Sequence, residues 1–331
     1  MKSAISQSGR AQKNAGISWD DHIPIMEERL KTFVQSWPSS LSGEFLEYSS
    51  GLTSAEFRKN PKNSWVGLYP FWIYLPVWLT EKYSGKKTAT SKQFLRDILW
   101  VQICLFFFIR IQDDLYDGHT KYQSLIFASN LFLLEAESVL SDYFSTSSRF
   151  WKIYREALKN SSKAIVETVH LQQRPRTAPA KLIKAYAGIA AHFDIVIAAI
   201  CIRYRRMADL SCLTQFSVQM VIAGQLMDDL EDLEDDLKYG KYNYVANRLL
   251  REITGKLTPQ SKVEEEIRRA ILVTDGVGKL FNAVRKHLHL AAKAIKPLDL
   301  PEAITLLHDY REGVNKIAFI IHQQRVNFFF K

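Results

Sequence analysis

Two runs of acidic residues interrupt otherwise apolar stretches of this 331-residue chain. The first is Gln112-Asp113-Asp114-Leu115-Tyr116-Asp117, and the second runs from Asp228-Asp229 through Glu231-Asp232 to Glu234-Asp235-Asp236. Asp113 and Asp117 stand four apart, so on a helix they share a face and can present carboxylates to one cation or a pair. Upstream on that face lie Ile109, Phe106 and Gln102, an apolar wall that a solvated helix end has no reason to carry. In the second run, Asp228, Asp232 and Asp236 form an i, i+4, i+8 ladder able to converge on one ion. Like charges at i, i+4 cost roughly 0.2–0.5 kcal/mol per pair. Acids late in a helix also oppose the negative end of its dipole, so a cationic counterpart is wanted. Hard carboxylates with no His or Cys beside them select Mg2+, or Mn2+, over zinc or copper. Mg2+ held by few carboxylates completes its shell with water and phosphate oxygens, which points to a phosphorylated substrate. The competing reading, a charged helix end on the surface, suits either run alone better than both together.

The elements that must position these residues read as helices almost throughout, and no segment alternates as a confident strand. The periodicity predicts helices over 23–36, 65–82, 92–116, 121–143, 149–171, 179–206, 211–238, 260–273, 277–296 and 301–325. Between them stand ordinary stop signals, among them Trp37-Pro38, Ser84-Gly85, Gly118, Arg174-Pro175, Tyr239-Gly240 and Lys296-Pro297. Without repeats or a long polar linker, the expectation is an all-α, single-domain helical bundle over residues 21–331, preceded by a mobile tail over 1–20. The most hydrophobic segment, Ile98 to Ile111, is short of the ~20 residues that cross a bilayer and contains Gln102 and Arg110. It reads as a buried core helix, and no integral membrane segment is expected.

Composition narrows the function classes. The chain carries only 14 glycines and has no GxGxxG or GxxxxGK[ST] stretch, which disfavours glycine loops around phosphate. Cys104, Cys201 and Cys212 lie far apart with no CxxC spacing, so a reducing, cytoplasmic location fits, and the first residues lack the apolar run of a secretory signal. The net charge of +9 comes without a dense basic run or a recognised nucleic-acid motif, so nucleic acid is not the expected partner.

Asp113-Asp114-Leu115-Tyr116-Asp117 resembles the first DDxxD motif of class I isoprenoid synthases, the superfamily of terpene cyclases, chain-elongating prenyltransferases and squalene or phytoene synthases. The resemblance covers about residues 65–325. It implies an isoprenoid-synthase-type bundle around a deep apolar pocket, with the acidic motifs facing each other across its mouth. Asp113 and Asp117 would hold one or two Mg2+, with Asp114 as their supporting partner, and Asp228, Asp232 and Asp236 another, making three. The substrate would be an allylic prenyl diphosphate. Phe106, Ile109, Tyr116, Phe193, Val221 and Gln225 would line the pocket, with Trp100 a further aromatic candidate. A homodimer is compatible with the resemblance.

The second motif points in three directions within the superfamily. Asp228, Asp232 and Asp236 are spaced like the metal triad of terpene cyclases. Gln225-Leu226-Met227-Asp228-Asp229-Leu230-Glu231-Asp232 is similar to the glutamine-led DDxxD of chain-elongating enzymes, with Gly240-Lys241 like their Gly-Lys. Asp232 and Asp236 with Gly240-Lys241-Tyr242 also resemble the phytoene synthase pattern. Elongating enzymes carry an early Gly-Lys-Arg run for their second substrate, where this chain has the uncharged Asn63-Ser64-Trp65-Val66-Gly67-Leu68-Tyr69-Pro70-Phe71-Trp72, with Arg58, Lys59 and Lys62 just before it. The leading reading is therefore a terpene synthase, a lyase that ionises one allylic diphosphate. The alternative is a prenyltransferase that joins two prenyl units. Diphosphate donors implied by the resemblance are Lys241, Lys238, Arg174, Arg176, Arg311 and Tyr310, the last two an Arg-Tyr pair in reversed order.

Overall fold

The computed structural model describes residues 22–52, 70–85, 88–252 and 260–329. The predicted tail over 1–20 and the stretch 63–69 lie outside these residues. Among the described residues there is no strand, and the all-α expectation holds. The chain divides into two compact units interleaved in sequence, residues 22–156 with 193–210, and residues 157–192 with 211–329.

The first unit contains α1 (Ile23–Gln35), α2 (Ser39–Gly51), α3 (Pro70–Ser84), α4 (Ala89–Tyr116), α5 (Leu125–Ser141) and α8 (Phe193–Arg203). Its axis is α4, the segment that the sequence marks as most apolar. Thr88 caps it by accepting from the Ser91 N–H at 3.1 Å, which satisfies one of the orphan donors of a helix start. From Phe94 to Ile111 it is buried nearly all round, as a helix without a polar face must be. Helix α5 packs along it, and Phe45, Phe107 and Phe132 interlock there, with ring centroids 4.9–5.2 Å apart. Trp100 is part of this core, fully buried, and donates to Glu135 at 2.7 Å.

The second unit contains α7 (Pro179–Ile189), α10 (Leu233–Lys238), α11 (Tyr244–Glu252), α12 (Gln260–Val273), α13 (Gly276–Ile295) and α14 (Pro301–Phe329). Helices α6 (Phe150–Gln172) and α9 (Leu210–Glu231) lie mostly within it. Helix α11 packs on α7, α12 and α13, while α13 and α14 pack on each other as a hairpin. At Gly188 a Cβ would fall 2.6 Å from the Ala164 Cβ, so α6 and α7 approach as closely as they do only because that side chain is missing.

Four expectations need correction. The helices over 39–51 and 244–252 were not predicted, the first because Ser and Gly dilute its apolar stripe, the second because it follows a glycine turn closely. The span 179–206 breaks at a 3-10 turn, Ala190–His192, where the His192 Nδ1 lies 2.7 Å from the Ile189 carbonyl oxygen. The span 211–238 breaks at Asp232, which separates α9 from α10. Runs 179–203 and 207–231 are long and apolar enough to cross a membrane, with mean hydropathies of 1.9 and 1.2. The first is largely buried inside the fold, as a core helix pair would be.

Candidate functional site: two carboxylate motifs

In the first unit, α4 delivers Asp113 and Asp114 in its last turn and Asp117 as its C-cap. The Asp117 N–H bonds to the Asp113 carbonyl at 2.8 Å, so the two outer aspartates stay one turn apart, both half-buried. Gly118, at φ 72°, then reverses the chain. Its N–H bonds to the Leu115 carbonyl at 3.3 Å and the His119 N–H to the Asp114 carbonyl at 2.8 Å, a Schellman cap that glycine permits. Asp114 points the other way. It is 3% exposed and accepts from the Tyr48 hydroxyl at 2.7 Å and from the Arg110 Nε at 3.1 Å, with the Arg110 Nη2 3.0 Å from its other oxygen, an ion pair inside the helix. Burial, then the Asp114 charge, pushes the Tyr48 hydroxyl far above its ordinary range, so it remains a donor.

In the second unit the same plan recurs. Asp228 and Asp232 are exposed, and the Asp232 N–H bonds to the Asp228 carbonyl at 2.8 Å, so their spacing survives the break between α9 and α10. Asp229, between them in sequence, is 3% exposed and accepts from the Tyr186 hydroxyl at 2.7 Å and the Tyr244 N–H at 2.9 Å. Burial raises its carboxyl to about 8, against the pull of those two hydrogen bonds, and the charges of Asp236 and Asp228 add to the rise. Helix α10 closes with Gly240 at φ 71°, whose N–H bonds to the Leu237 carbonyl at 3.0 Å, while the Lys241 N–H bonds to the Asp236 carbonyl at 2.8 Å. This is a second Schellman cap, and it puts Lys241, half-buried, directly after the motif.

Asp236 is not equivalent to Asp228 and Asp232. Its carboxylate accepts from the Asn243 Nδ2 at 2.7 Å, and that same nitrogen also bonds to the Asp229 carbonyl at 2.7 Å. Asn243 and Asn247 are fully buried. Asn247 accepts from the Thr177 N–H at 2.6 Å and donates to the Tyr242 carbonyl, tying the motif to the 174–177 loop. Sequence reasoning missed both asparagines, although two Asn four apart among the apolar residues Tyr242, Tyr244, Val245, Ala246, Leu249 and Leu250 carry a signal, since buried amides must find partners.

The remaining predicted residues divide. Tyr310 is half-buried on α14, and its hydroxyl is pushed up to about 12, mainly by burial and then by the charge of Asp228, which sets it beside the second motif. Arg311, the next residue, is exposed. Lys238 lies 2.9 Å from Asp235, both side chains being exposed. Arg174 is exposed; Arg176 is half-buried with a left-handed backbone at φ 61°, an unusual conformation for a side-chain-bearing residue. Phe106 and Ile109 are the half-buried members of α4 on the Asp113 side, whereas Tyr116 is half exposed. Phe193 stacks flat on Trp72, centroids 3.3 Å apart, as part of the first unit's packing. Val221 is buried and Gln225 half-buried on α9, the Gln225 amide reaching toward Asp229 at a long 3.5 Å.

The donor chemistry suits Mg2+ or Mn2+. Each motif offers two carboxylates one turn apart, half-buried in the first and exposed in the second, the number by which Mg2+ is ordinarily held when phosphate and water complete its shell. Among the described residues no three His, Cys, Asp or Glu side chains gather closely enough to hold a metal alone.

No family model and no curated protein matches this sequence. Solved structures do. Octaprenyl pyrophosphate synthase from Helicobacter pylori superposes with a TM-score of 0.66 at 12% identity, over 89% of this chain and 99% of that one. Geranylgeranyl pyrophosphate synthetase from the archaeon Geoglobus acetivorans gives 0.64 at 15%, over 95% and 99%. Geranylgeranyl pyrophosphate synthase from Corynebacterium glutamicum, complexed with isoprenyl diphosphate and magnesium, gives 0.55 at 14%, over 90% and 98%. At these identities the likeness establishes the all-α fold that the chain shares with them.

Proposed function

We propose that this chain, which has the class I isoprenoid synthase fold, is a prenyltransferase that joins an allylic prenyl diphosphate to a second prenyl diphosphate and releases pyrophosphate. The observation that carries the reading is the shared plan of the two motifs. Each leaves the first and last aspartate of a DDxxD more accessible than the second, which it buries against a tyrosine, so the second motif is better described by Asp228, Asp229 and Asp232 than by the ladder that includes Asp236. The paired DDxxD register is the one that resembles chain-elongating enzymes. The solved neighbours support it, all three being prenyl pyrophosphate synthases, one of them bound to isoprenyl diphosphate and magnesium.

In this reading Asp113 and Asp117, and likewise Asp228 and Asp232, hold Mg2+. The metal, when bound, neutralises the charge that develops on the leaving diphosphate. Lys241 and the Tyr310 hydroxyl supply further donors beside the second motif. Phe106 and Ile109 offer apolar surface to the prenyl chain and keep water from the allylic cation.

A one-substrate terpene synthase is the second reading. It draws on the uncharged aromatic stretch Asn63 to Trp72, where elongating enzymes carry Gly-Lys-Arg. Incubation with C10, C15 and C20 allylic diphosphates and Mg2+, with and without isopentenyl diphosphate, decides between them by product mass. Coupling predicts a longer diphosphate only when isopentenyl diphosphate is present, or a joined product of two allylic chains. A hydrocarbon or alcohol from one allylic diphosphate alone would replace the proposal with the second reading.

A further inference from the structure

The loop between α6 and α7 holds an uncommon backbone. Arg176 is left-handed at φ 61°, a conformation that a side-chain-bearing residue keeps only where its surroundings fix it. Here they do. The Thr177 N–H donates to the Asn247 Oδ1 at 2.6 Å, and the Thr177 hydroxyl bonds to the Leu171 and Arg174 carbonyls at 3.0 and 2.8 Å. From α11, the Arg251 Nη1 donates to the Arg176 carbonyl at 3.3 Å. What this scaffold fixes is the placement of one half-buried arginine.

The other end of the Asn247 amide fixes a second cation. Its Nδ2 donates to the Tyr242 carbonyl, directly after Lys241, and to the Asn243 carbonyl at 3.2 Å. The Tyr242 N–H bonds to the Gln172 carbonyl at 2.6 Å, so the turn after the second motif is pinned to the end of α6 as well. Arg176 and Lys241 thus each stand one residue from a group bonded to Asn247, and both are half-buried in the second unit. Asn247 is itself fully buried beside Ala246 and Leu249, a setting in which an amide is costly unless its hydrogen bonds are made. Glu252, the acid of α11, lies 3.5 Å from Arg248 and 2.7 Å from Lys279. The start of α11 is also locked to the second motif. Asn243 accepts from the Ala246 N–H at 3.0 Å, while its Nδ2 bonds to the Asp229 carbonyl and the Asp236 carboxylate.

We infer, on the reading that the substrate is a prenyl diphosphate, that Asn247 is a positioning residue whose buried amide presents Arg176 and Lys241 together to the diphosphate group. An anion seated there meets two cations and lies beside carboxylates able to hold Mg2+. A diphosphate has oxygens enough for both cations and the metal, and a single carboxylate does not.

The test is calorimetric titration of the full chain with pyrophosphate in the presence of Mg2+. Arg176→Gly and Lys241→Ala should each weaken binding about tenfold, the loss of one charge-assisted contact. Arg176→Gly should also melt higher than Arg176→Ala, because glycine takes a left-handed backbone without strain. Asn247→Ala should weaken binding by more than either cation variant alone. Added to the Arg176→Gly, Lys241→Ala double variant it should weaken binding little further, since nothing remains to be positioned. Asn247→Ala that lowers the melting temperature but binds pyrophosphate as tightly as the wild type would make the amide a purely structural tie and overturn the inference. Wild-type affinity in Arg176→Gly overturns it as well, a result that does not depend on whether Asn247→Ala folds. The readout is binding and not turnover. Pyrophosphate binding with these sensitivities, without any coupled prenyl product, would overturn the coupling reading and support the role of Asn247; coupling with affinities untouched by the variants would do the reverse.

Discussion

The two DDxxD motifs reach the same geometry by different electrostatics. In each, a buried second aspartate accepts a tyrosine hydroxyl at 2.7 Å, and a left-handed glycine closes the helix end that carries the last aspartate of the run. Asp114, however, has a guanidinium in its own helix one turn back, whereas Asp229 faces hydroxyl, amide and backbone donors and carries its burial without a cation. The inner aspartate is thus a structural peg, and charge compensation is one of two ways to seat it. The first motif is anchored as an ion pair, the second as a carboxylic acid whose pKa of about 8 keeps it largely protonated at neutral pH.

That difference can be broken from the first motif's side most strongly. Arg110→Met leaves Asp114 buried and uncompensated, and should cost about 2–3 kcal/mol in urea unfolding. Adding Asp114→Asn should restore most of the loss. No rescue on the double substitution would mean that Arg110 acts through packing and that the ion pair is incidental.

Removing the tyrosines ranks the two pegs. Tyr186→Phe takes a hydroxyl from a fully buried acceptor and should destabilise by about 1–3 kcal/mol. Tyr48→Phe should cost less, because Arg110 still serves Asp114. The reverse order, read from paired denaturation curves, would undo the contrast.

The pH dependence has a defined sign. Because Asp229 is raised to about 8 in the folded chain, the folded state holds a proton that the unfolded state has released above its ordinary carboxylate range. Stability contributed by this residue is therefore greatest in acid and is lost as pH rises toward and through 8. Asp229→Asn should flatten the wild-type decline in melting temperature between about pH 4 and 8. His192 in the same unit works oppositely. Burial lowers it to about 4, so its contribution is full above its ordinary range and is lost as pH falls toward 4.

The smallest effect belongs to Lys238. Its pair with Asp235 is solvent-exposed, and Lys238→Ala should change stability by less than about 0.5 kcal/mol and leave turnover unaltered. A large loss of turnover would return Lys238 to the diphosphate-binding set.

Much of this organisation was legible in the sequence because it is periodic. The apolar run around Ile98–Ile111 and the i, i+4 aspartates identify α4 and its chemistry without coordinates, and the fold class follows from helical periodicity alone. The division of labour within each motif was not legible. Asp228, Asp229, Asp232 and Asp236 look alike in one dimension, and only the positions of Tyr186, Tyr244 and Asn243, distant or across a turn, separate buried pegs from outward ligands. The break at Asp232 was hidden because its backbone hydrogen bonds keep helical spacing on both sides. Lys238 and Lys241 also look equivalent in sequence. A glycine cap between them turns one toward Asp235 and sets the other immediately after the motif.

The most direct test compares turnover and melting temperature across four single substitutions, Asp113→Asn, Asp228→Asn, Asp114→Asn and Asp229→Asn, assayed with prenyl diphosphates and Mg2+. The outer pair should lose turnover by at least about a hundredfold at nearly unchanged melting temperature, since each removes a negative ligand from a site that stabilises a leaving diphosphate. The inner pair should retain measurable turnover and shift the melting temperature or its pH profile. Full activity in Asp113→Asn or Asp228→Asn, with activity lost only where the fold is lost, would contradict the assignment of the outward carboxylates as the catalytic metal ligands.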